Sequence, residues 1–559
     1  MIRTFTLVVA SLAVGVSASA AFAQADVPLP NPAEYPDENL PFFVEQETLG
    51  KFLFWEEQMG GDNTMACGTC HIHEAGGSDP RSVDADSVHP GADGLFGTDD
   101  DVRGSKGVVS FDRVGGQFVH EDTFFPNVLV TGRKSPPSIN AAYFTSIGVF
   151  WDGRATQEFT GPQSGQVELM FAGALESQAV GPPLSDVEMG GLNQTWEQIV
   201  TKLAGVKPMA LATNLPPDMA DFLATYPTYP LMFAAAYSGD QTITAEKIAM
   251  AIANYERTLL SDQSPLDRDL NGSEPLAAEY LPGLALFNGT ANCSACHTLP
   301  FASDLSFHNI GLRPDAEDIG LEATTGSPLD RAKFKTPIVR NVAERLPLFH
   351  NGQADTIAEL VDFYDAGGDF NTEGNLDANM LVLNLTEQEK ADLILFLTEA
   401  VTDPRVVNNE HPFTRPTLRS ELPQVNTVYG VASQNGAAEL PGVLAHIPPN
   451  IGNQEFLIGV HNATANMPAA LAFAWDDDPA GTPYVDPRYP VPLNIVPETL
   501  FLLLNTTTDA FGVATVALPL PADPLIQGLE VYAQWIIADP TAVATGGLYG
   551  SEGVAIPIF

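Results

Sequence analysis

Apolar side chains return at helical spacing in several stretches of the chain. Between Thr244 and Leu260, the positions Ile248, Ile252, Tyr255 and Leu259 share one face, which predicts an amphipathic helix. ETLGKFLFW predicts a shorter amphipathic segment, and LPGLALFNGTANCSACHT predicts a single apolar helix. Thr386 with Glu389 has the spacing of a capping box, so KADLILFLTEA just after it predicts another helix. Residues 79–125 are polar and rich in Gly and Asp, the texture of a surface loop. Beyond about residue 420 the period shortens. EFLIGV, AALAFAW, ETLFLLL, GVATVALPL, LEVYAQWIIA and GVAIPIF are short runs separated by Gly, Pro, Asn and Asp, and they predict the strands of a separate all-β sandwich.

The N-terminus has Arg3, an apolar run FTLVVASLAVGV, and small residues ending Ala21, Phe22 and Ala23. That order predicts a signal peptide over residues 1–23, cleaved after Ala23, and therefore a periplasmic or secreted protein with no membrane span. A chain of 559 residues exceeds a single hydrophobic core, so several domains are expected. Seventy acidic against 25 basic side chains leave a formal charge of -45. Such a charge argues against nucleic acid or an anionic membrane as partner and suits a basic protein partner. Asp93, Asp99, Asp100 and Asp101 offer oxygens to calcium, but their spacing is not that of an EF-hand and reads as an acidic loop.

Export favours disulfides, yet all four cysteines lie within two copies of C-x-x-C-H, Cys67, Cys70 and His71 in the first and Cys293, Cys296 and His297 in the second. Two thiols at this spacing can add to the two vinyl groups of one porphyrin, and the next residue then supplies an imidazole to the iron. Two covalently bound c-type haems are therefore expected. Zinc is the rival, with His73 and His308 as extra imidazoles, but it needs four ligands in one neighbourhood. A thioredoxin-like redox pair lacks its βαβ context. His446 and His461, in the β region, carry no motif and read as core or loop histidines.

The stretches LGKFLFWEEQMGGDNTMACGTCH, TGRKSPPSINAAYFTSIGVFWDGRA, QAVGPPLSDVEMG, NYERTLLSDQSPLDR, LALFNGTANCSACHT and FKTPIVRNVAERLPLFHNGQADTIAELVDFYDAGG, in this order, resemble the bacterial di-haem cytochrome c peroxidase and MauG family. The resemblance spans about residues 35–400. It implies two mainly α-helical, cytochrome c-like haem domains, 24–262 and 263–408, followed by the all-β sandwich at 420–559. It also implies an exported peroxidase that reduces hydrogen peroxide at the N-terminal haem with electrons relayed through the C-terminal haem. The electron donor would be a small cytochrome c or cupredoxin. Two alternatives stand beside it: a MauG-like enzyme oxidising a protein or other substrate through a high-valent state, and a non-catalytic di-haem electron carrier.

Carried over by motif, His71 and His297 are the proximal iron ligands and Trp151 lies between the haems. Gln178, Pro182 and Glu188 have the spacing of the family's peroxide-handling Gln, Pro and acid/base Glu. The family's Gln follows its Trp more closely than Gln178 follows Trp151, and the intervening insertion holds an imperfect copy of the pattern in Glu158, Pro162 and Glu168. The second copy, which keeps the Gln, is preferred. A distal histidine would come from His89 or His120, both read as surface-loop histidines out of register, which leaves the first haem open. The family's interdomain calcium uses an Asn where this chain has Lys134, with Arg345 and Pro347 nearby, and the two cations disfavour the ion. Counting fourteen residues from His350 leads to Tyr364, where family peroxidases carry a Met ligand and MauG a Tyr, so His297 and Tyr364 are the expected ligands of the second haem. Met380 lies in a turn and matches no ligand position.

Overall fold

The computed structural model describes residue 29 and residues 43–372, 374–483, 491–542 and 546–559. The expected signal peptide lies outside the described residues.

The first part of the chain is built on two helices packed against each other, α1 (Phe43–Phe54) and α2 (Ala245–Thr258). Thr244 caps α2 by accepting from the Lys247 amide. This is the helix that the Ile248, Ile252, Tyr255, Leu259 spacing predicts. It is buried on every side rather than on one face, because Glu246, Asn254, Glu256 and Arg257 are enclosed along with its apolar residues. Gly50 lets the two helices touch, since a Cβ there would lie 1.8 Å from the Ala251 carbonyl.

The second part holds α3 (Pro265–Leu270), α4 (Leu281–Asn288), α5 (Ile357–Ala366) and α6 (Glu387–Leu395). The apolar LPGLALFN run forms α4, which packs on α6. The Thr386 and Glu389 capping box forms as expected, with the Glu389 carboxylate accepting from the Thr386 amide at 2.7 Å. The acidic loop ties two of its carboxylates to its own backbone. Asp100 accepts from the Ala92 and Asp93 amides, and Asp101 from that of Gly97.

Residues 427–557 form antiparallel strands β1 (Thr427–Tyr429), β2 (Gly442–Leu444), β3 (Leu457–His461), β4 (Pro468–Ala474), β5 (Asp477–Pro483), β6 (Pro492–Ile495), β7 (Leu500–Thr507), β8 (Ala514–Ala517), β9 (Glu530–Ala538) and β10 (Leu548–Pro557). A five-stranded sheet in the order β1-β10-β9-β4-β7 faces a three-stranded sheet β2-β3-β8, and β5 pairs with β6. Ile458 and Val460 of the smaller sheet share a core with Leu471, Trp535 and Val554 of the larger. That core is continuous with the first part of the chain. Phe118 is buried in it, and its amide donates to Thr515 Oγ1 at 3.0 Å. Arg113 and Lys202 both pair with Glu455. The connecting segment is strapped down as well, with Glu57 accepting from the Arg419 and Ser420 amides, each at 2.8 Å.

Among the described residues no helix is long and apolar enough to cross a membrane.

Candidate functional site

Each C-x-x-C-H copy forms a single tight turn, helical over Cys67–Cys70 and 3-10 over Cys293–Ala295. The turn brings its two thiols and its imidazole onto the wall of one cavity. Cys67, Cys70 and His71 line the first cavity, and Cys293, Cys296 and His297 the second. None of the four cysteines is in a disulfide. Burial raises their thiols, to about 12 for Cys67 and Cys293 and about 11 for Cys296, so none is a ready thiolate.

The two imidazoles are held alike. His71 Nδ1 donates to the Gly77 carbonyl at 3.0 Å, and His297 Nδ1 to the Ala302 carbonyl at 3.1 Å. Nδ1 therefore carries the proton, and Nε2 keeps its lone pair for a ligand bond. Burial holds both rings below the usual histidine range, hence neutral. The carbonyl partners are themselves fixed. Gly77, at φ +78°, also accepts from the Ser138 amide, and a Cβ there would collide with Ile139. The loop ending in Ala302 is pinned by Arg340, fully buried, which donates to the Pro300 and Phe301 carbonyls and pairs with Asp267 at 2.6 Å. Two thiols beside a neutral, oriented imidazole are the donor set that a c-type haem requires, and both sites fit it.

Gln178, Pro182 and Glu188 line the same first cavity. Gln178 lies in the last turn of the short helix Ala174–Ala179, and Pro182 and Pro183 open the 3-10 turn Pro182–Leu184 that follows, where proline's missing amide costs nothing. The segment bearing Glu188 lies against the strand Lys106–Val109, where the Val108 amide donates to Val187; a Cβ on Gly107 would stand 1.7 Å from that carbonyl. Glu188 is half-buried. Burial pushes its carboxyl up, while Arg154 and Ser185 pull it partly back. The imperfect copy is elsewhere: Glu158, Pro162 and Glu168 are exposed, none lines the cavity, and Glu168 accepts from Ser164 Oγ.

Trp151 stands in the walls of both cavities. Its indole N–H donates to the Lys134 carbonyl at 2.7 Å, and its own carbonyl accepts from the Lys335 amide at 2.9 Å. The residue is thus held by segments from both the first and the second part of the chain. Lys134 and Arg345 are buried nearby, and burial lowers the first to about 7 and the second to about 10. Two enclosed cations at this seam are a poor setting for calcium.

The second cavity contains Tyr364, on α5, together with Met380. Sequence reasoning set Met380 aside as a turn residue, and the fold folds that turn over the same cavity. Burial and the neighbouring thiols raise the Tyr364 phenol above its usual range. His350 is also on this wall, stacked on Phe334 at 3.6 Å, and burial lowers it to about 4.

Neither candidate distal histidine is a free surface-loop residue. His89 sits in the two-stranded ladder Val88–His89 with Val102–Arg103 and lines the first cavity. His120 lies away from it, stacked on Phe511 of the β region at 4.5 Å. The imidazoles that kept zinc in view are otherwise engaged. His73 is fully buried, with Nδ1 donating to the Phe413 carbonyl. His308 lies with Cys296 and Asp304 in a cluster whose ligand atoms are within 4.8 Å, but both its nitrogens bond carboxylates, those of Asp304 and Asp377.

Residues 44–275 match the family described as di-haem cytochrome c peroxidase. The chain is 29% identical over 455 residues to the cytochrome-c peroxidase IdrP1 of Pseudomonas sp. (strain SCT), covering 75% of this chain and 97% of that protein. It is 27% identical to the methylamine utilization protein MauG of Methylorubrum extorquens, covering 68% and 84%. In fold it is similar to the crystal structure of a MauG-like protein associated with microbial copper homeostasis, with a TM-score of 0.50 at 24% identity over 69% of this chain and 96% of that one. Residues 44–275 therefore match the di-haem cytochrome c peroxidase family, and the chain is similar over most of the length of curated cytochrome-c peroxidase and MauG proteins.

Proposed function

We propose that this protein is an exported peroxidase that reduces hydrogen peroxide to water in the first cavity, with electrons arriving through the second. The observation that carries the reading is the shared wall: His71 and the pair Gln178 and Glu188 face one cavity, and Trp151 belongs to that cavity and to the next.

Cys67 with Cys70, and Cys293 with Cys296, would hold one haem each, and His71 and His297 would offer their Nε2 lone pairs to the irons. Bound haem iron supplies the redox chemistry that cleaves the O–O bond. The protein supplies the rest. Gln178 orients peroxide by hydrogen bonding, and Pro182 keeps that wall apolar. Glu188, whose basicity is raised by burial, takes the proton from one peroxide oxygen and returns it to the other, which leaves as water. Trp151, buried and fixed by its bond to Lys134, bridges the two sites for the electron. The acidic surface favours a basic electron donor, such as a small cytochrome c or a cupredoxin.

The test is steady-state oxidation of a reduced small cytochrome c by the di-haem protein with hydrogen peroxide. Turnover supports a peroxidase; its absence, with both haems present, favours the second reading. That reading, MauG-like oxidation of a protein substrate, is supported by Tyr364 in the second cavity. A phenolate there is a hard anionic donor that stabilises ferric iron and makes the site a poor acceptor of electrons.

A further inference from the structure

A second carboxyl shares the first cavity with Glu188. Glu256, on α2, lies in the cavity wall next to Cys67 and Ile252 and is 5% exposed. Its Oε2 is buried with no hydrogen-bond partner among the described residues. A carboxylate with a buried, unpaired oxygen is costly. The cation beside it is committed elsewhere. Arg257 forms a two-bond pair with Glu176, at 2.7 and 3.0 Å, and also donates to the Ala172 carbonyl.

We propose that Glu256 is the proton store of the first cavity, delivering a proton by way of Glu188 to peroxide undergoing reduction and being reprotonated from solvent between turnovers. This rests on the peroxidase reading. The balance demands such a source. The proton that Glu188 moves between the two oxygens cancels, so the first water leaves without net uptake. The remaining oxygen needs two electrons, from the donor protein, and two protons, which must be brought to it within the cavity: H2O2 + 2 H+ + 2 e- gives 2 H2O.

The electrostatics agree. Burial raises the Glu256 carboxyl to about 8; Arg257 opposes the rise and Glu176 adds to it. The other ionisable groups around it are Cys67, which feels both Glu256 and Glu188, and Tyr255. Across α2, α1 contributes Lys51, whose ammonium is held by Asp218 at 2.7 Å. Glu256 therefore carries its proton at neutral pH and releases it as pH rises through about 8.

The experiment uses the di-haem protein, with haem count verified, in infrared spectroscopy and in peroxide turnover from pH 6 to 10. The expected result is a carboxylic acid C=O band at pH 7 that shifts in D2O, fades through about pH 8 and is missing from Glu256→Gln. In turnover, Glu256→Gln should lose about 10-fold at pH 7.5, less than the ~100-fold expected for loss of the acid/base group itself because Glu188 stays in place, and little at pH 6, where bulk protons substitute. It should also lack the alkaline limb of the wild type, and Glu256→Asp should restore that limb. A band that persists in Glu256→Gln, or a pH profile that superimposes on the wild type, overturns the proposal. If Glu256→Gln fails to mature with two haems, the wild-type titration and Glu256→Asp decide: no band fading between pH 6 and 10, or an unchanged limb, overturns it. A wild type that turns over no peroxide defeats the peroxidase reading instead, and the infrared titration still reports whether Glu256 holds the proton.

Discussion

Glu188→Gln is the substitution that bears most directly on the proposed chemistry. It removes one proton acceptor and keeps the size of the side chain. The backbone around it is held by contacts that do not involve the carboxylate, namely the Val108 amide on Val187 and the Glu188 amide on Ser185 Oγ at 3.2 Å. The variant should therefore fold and carry both haems. A positioned general base is worth about 100-fold or more, so kcat/KM for peroxide should fall by at least that factor, or about 2.7 kcal/mol of transition-state stabilisation. The assay is stopped-flow and steady-state oxidation of a reduced small cytochrome c, with haem counted by the pyridine haemochrome method. Glu168→Gln is the control, because Glu168 is an exposed residue bonded to Ser164, and its removal should leave turnover unchanged. The pH dependence has a definite sign. Glu188 must be ionised to accept a proton, and burial raises its carboxyl, so activity should be lost on acidification at a higher pH than a solvent-exposed glutamate gives. A Glu188→Gln variant within about threefold of wild type, or a Glu168→Gln variant that is the damaged one, would refute the assignment.

Other outcomes are open to direct measurement. Tyr364→Phe should change the spectrum and spin state of the second haem; an unchanged spectrum, or a methionine-to-iron charge-transfer band in the wild type, would point instead to Met380 on the same wall. Protein matured in a cytochrome c-competent host should contain two covalent haems, and Cys293→Ala with Cys296→Ala should leave one, counted by pyridine haemochrome. Asp267→Asn strips the fully buried Arg340 of its carboxylate and loosens the loop that holds His297. It should destabilise the second haem region by about 3–5 kcal/mol in thermal denaturation. Glu455→Gln leaves Arg113 and Lys202 facing each other at the junction with the β region, so limited proteolysis should cut the 409–422 connection faster than in the wild type.

Much of this molecule is a matter of neighbours in sequence. The C-x-x-C-H turns present thiols and imidazole together because a single helical turn spans them, so the spacing alone specifies the site. The capping box at Thr386, the Ile248 to Leu259 helix and six strands of the β region were equally legible, since each is set by side chains two to four positions apart. Short strands such as Thr427–Tyr429 and Gly442–Leu444 were not, because they are defined by the partners they pair with and carry almost no pattern of their own.

What long-range packing decided is the identity of the cavity walls. Two copies of the Pro and Glu pattern lie twenty residues apart, and only the path of the chain through Gly181 and along the strand at Gly107 brings Glu188 inward while Glu168 faces solvent. Met380 looked like a turn residue and is one, yet the turn closes over the second cavity. Phe118 gave no sign of binding the β region to the first part of the chain, because its partner Thr515 is almost four hundred positions away. Glu256 occupied a polar place on a helix that periodicity painted as amphipathic, and the helix proved to be enclosed all round. A sequence pattern registers which side chains share a face, whereas burial depends on what the rest of the chain lays against that face, and it is burial that turns an ordinary glutamate into one that keeps its proton.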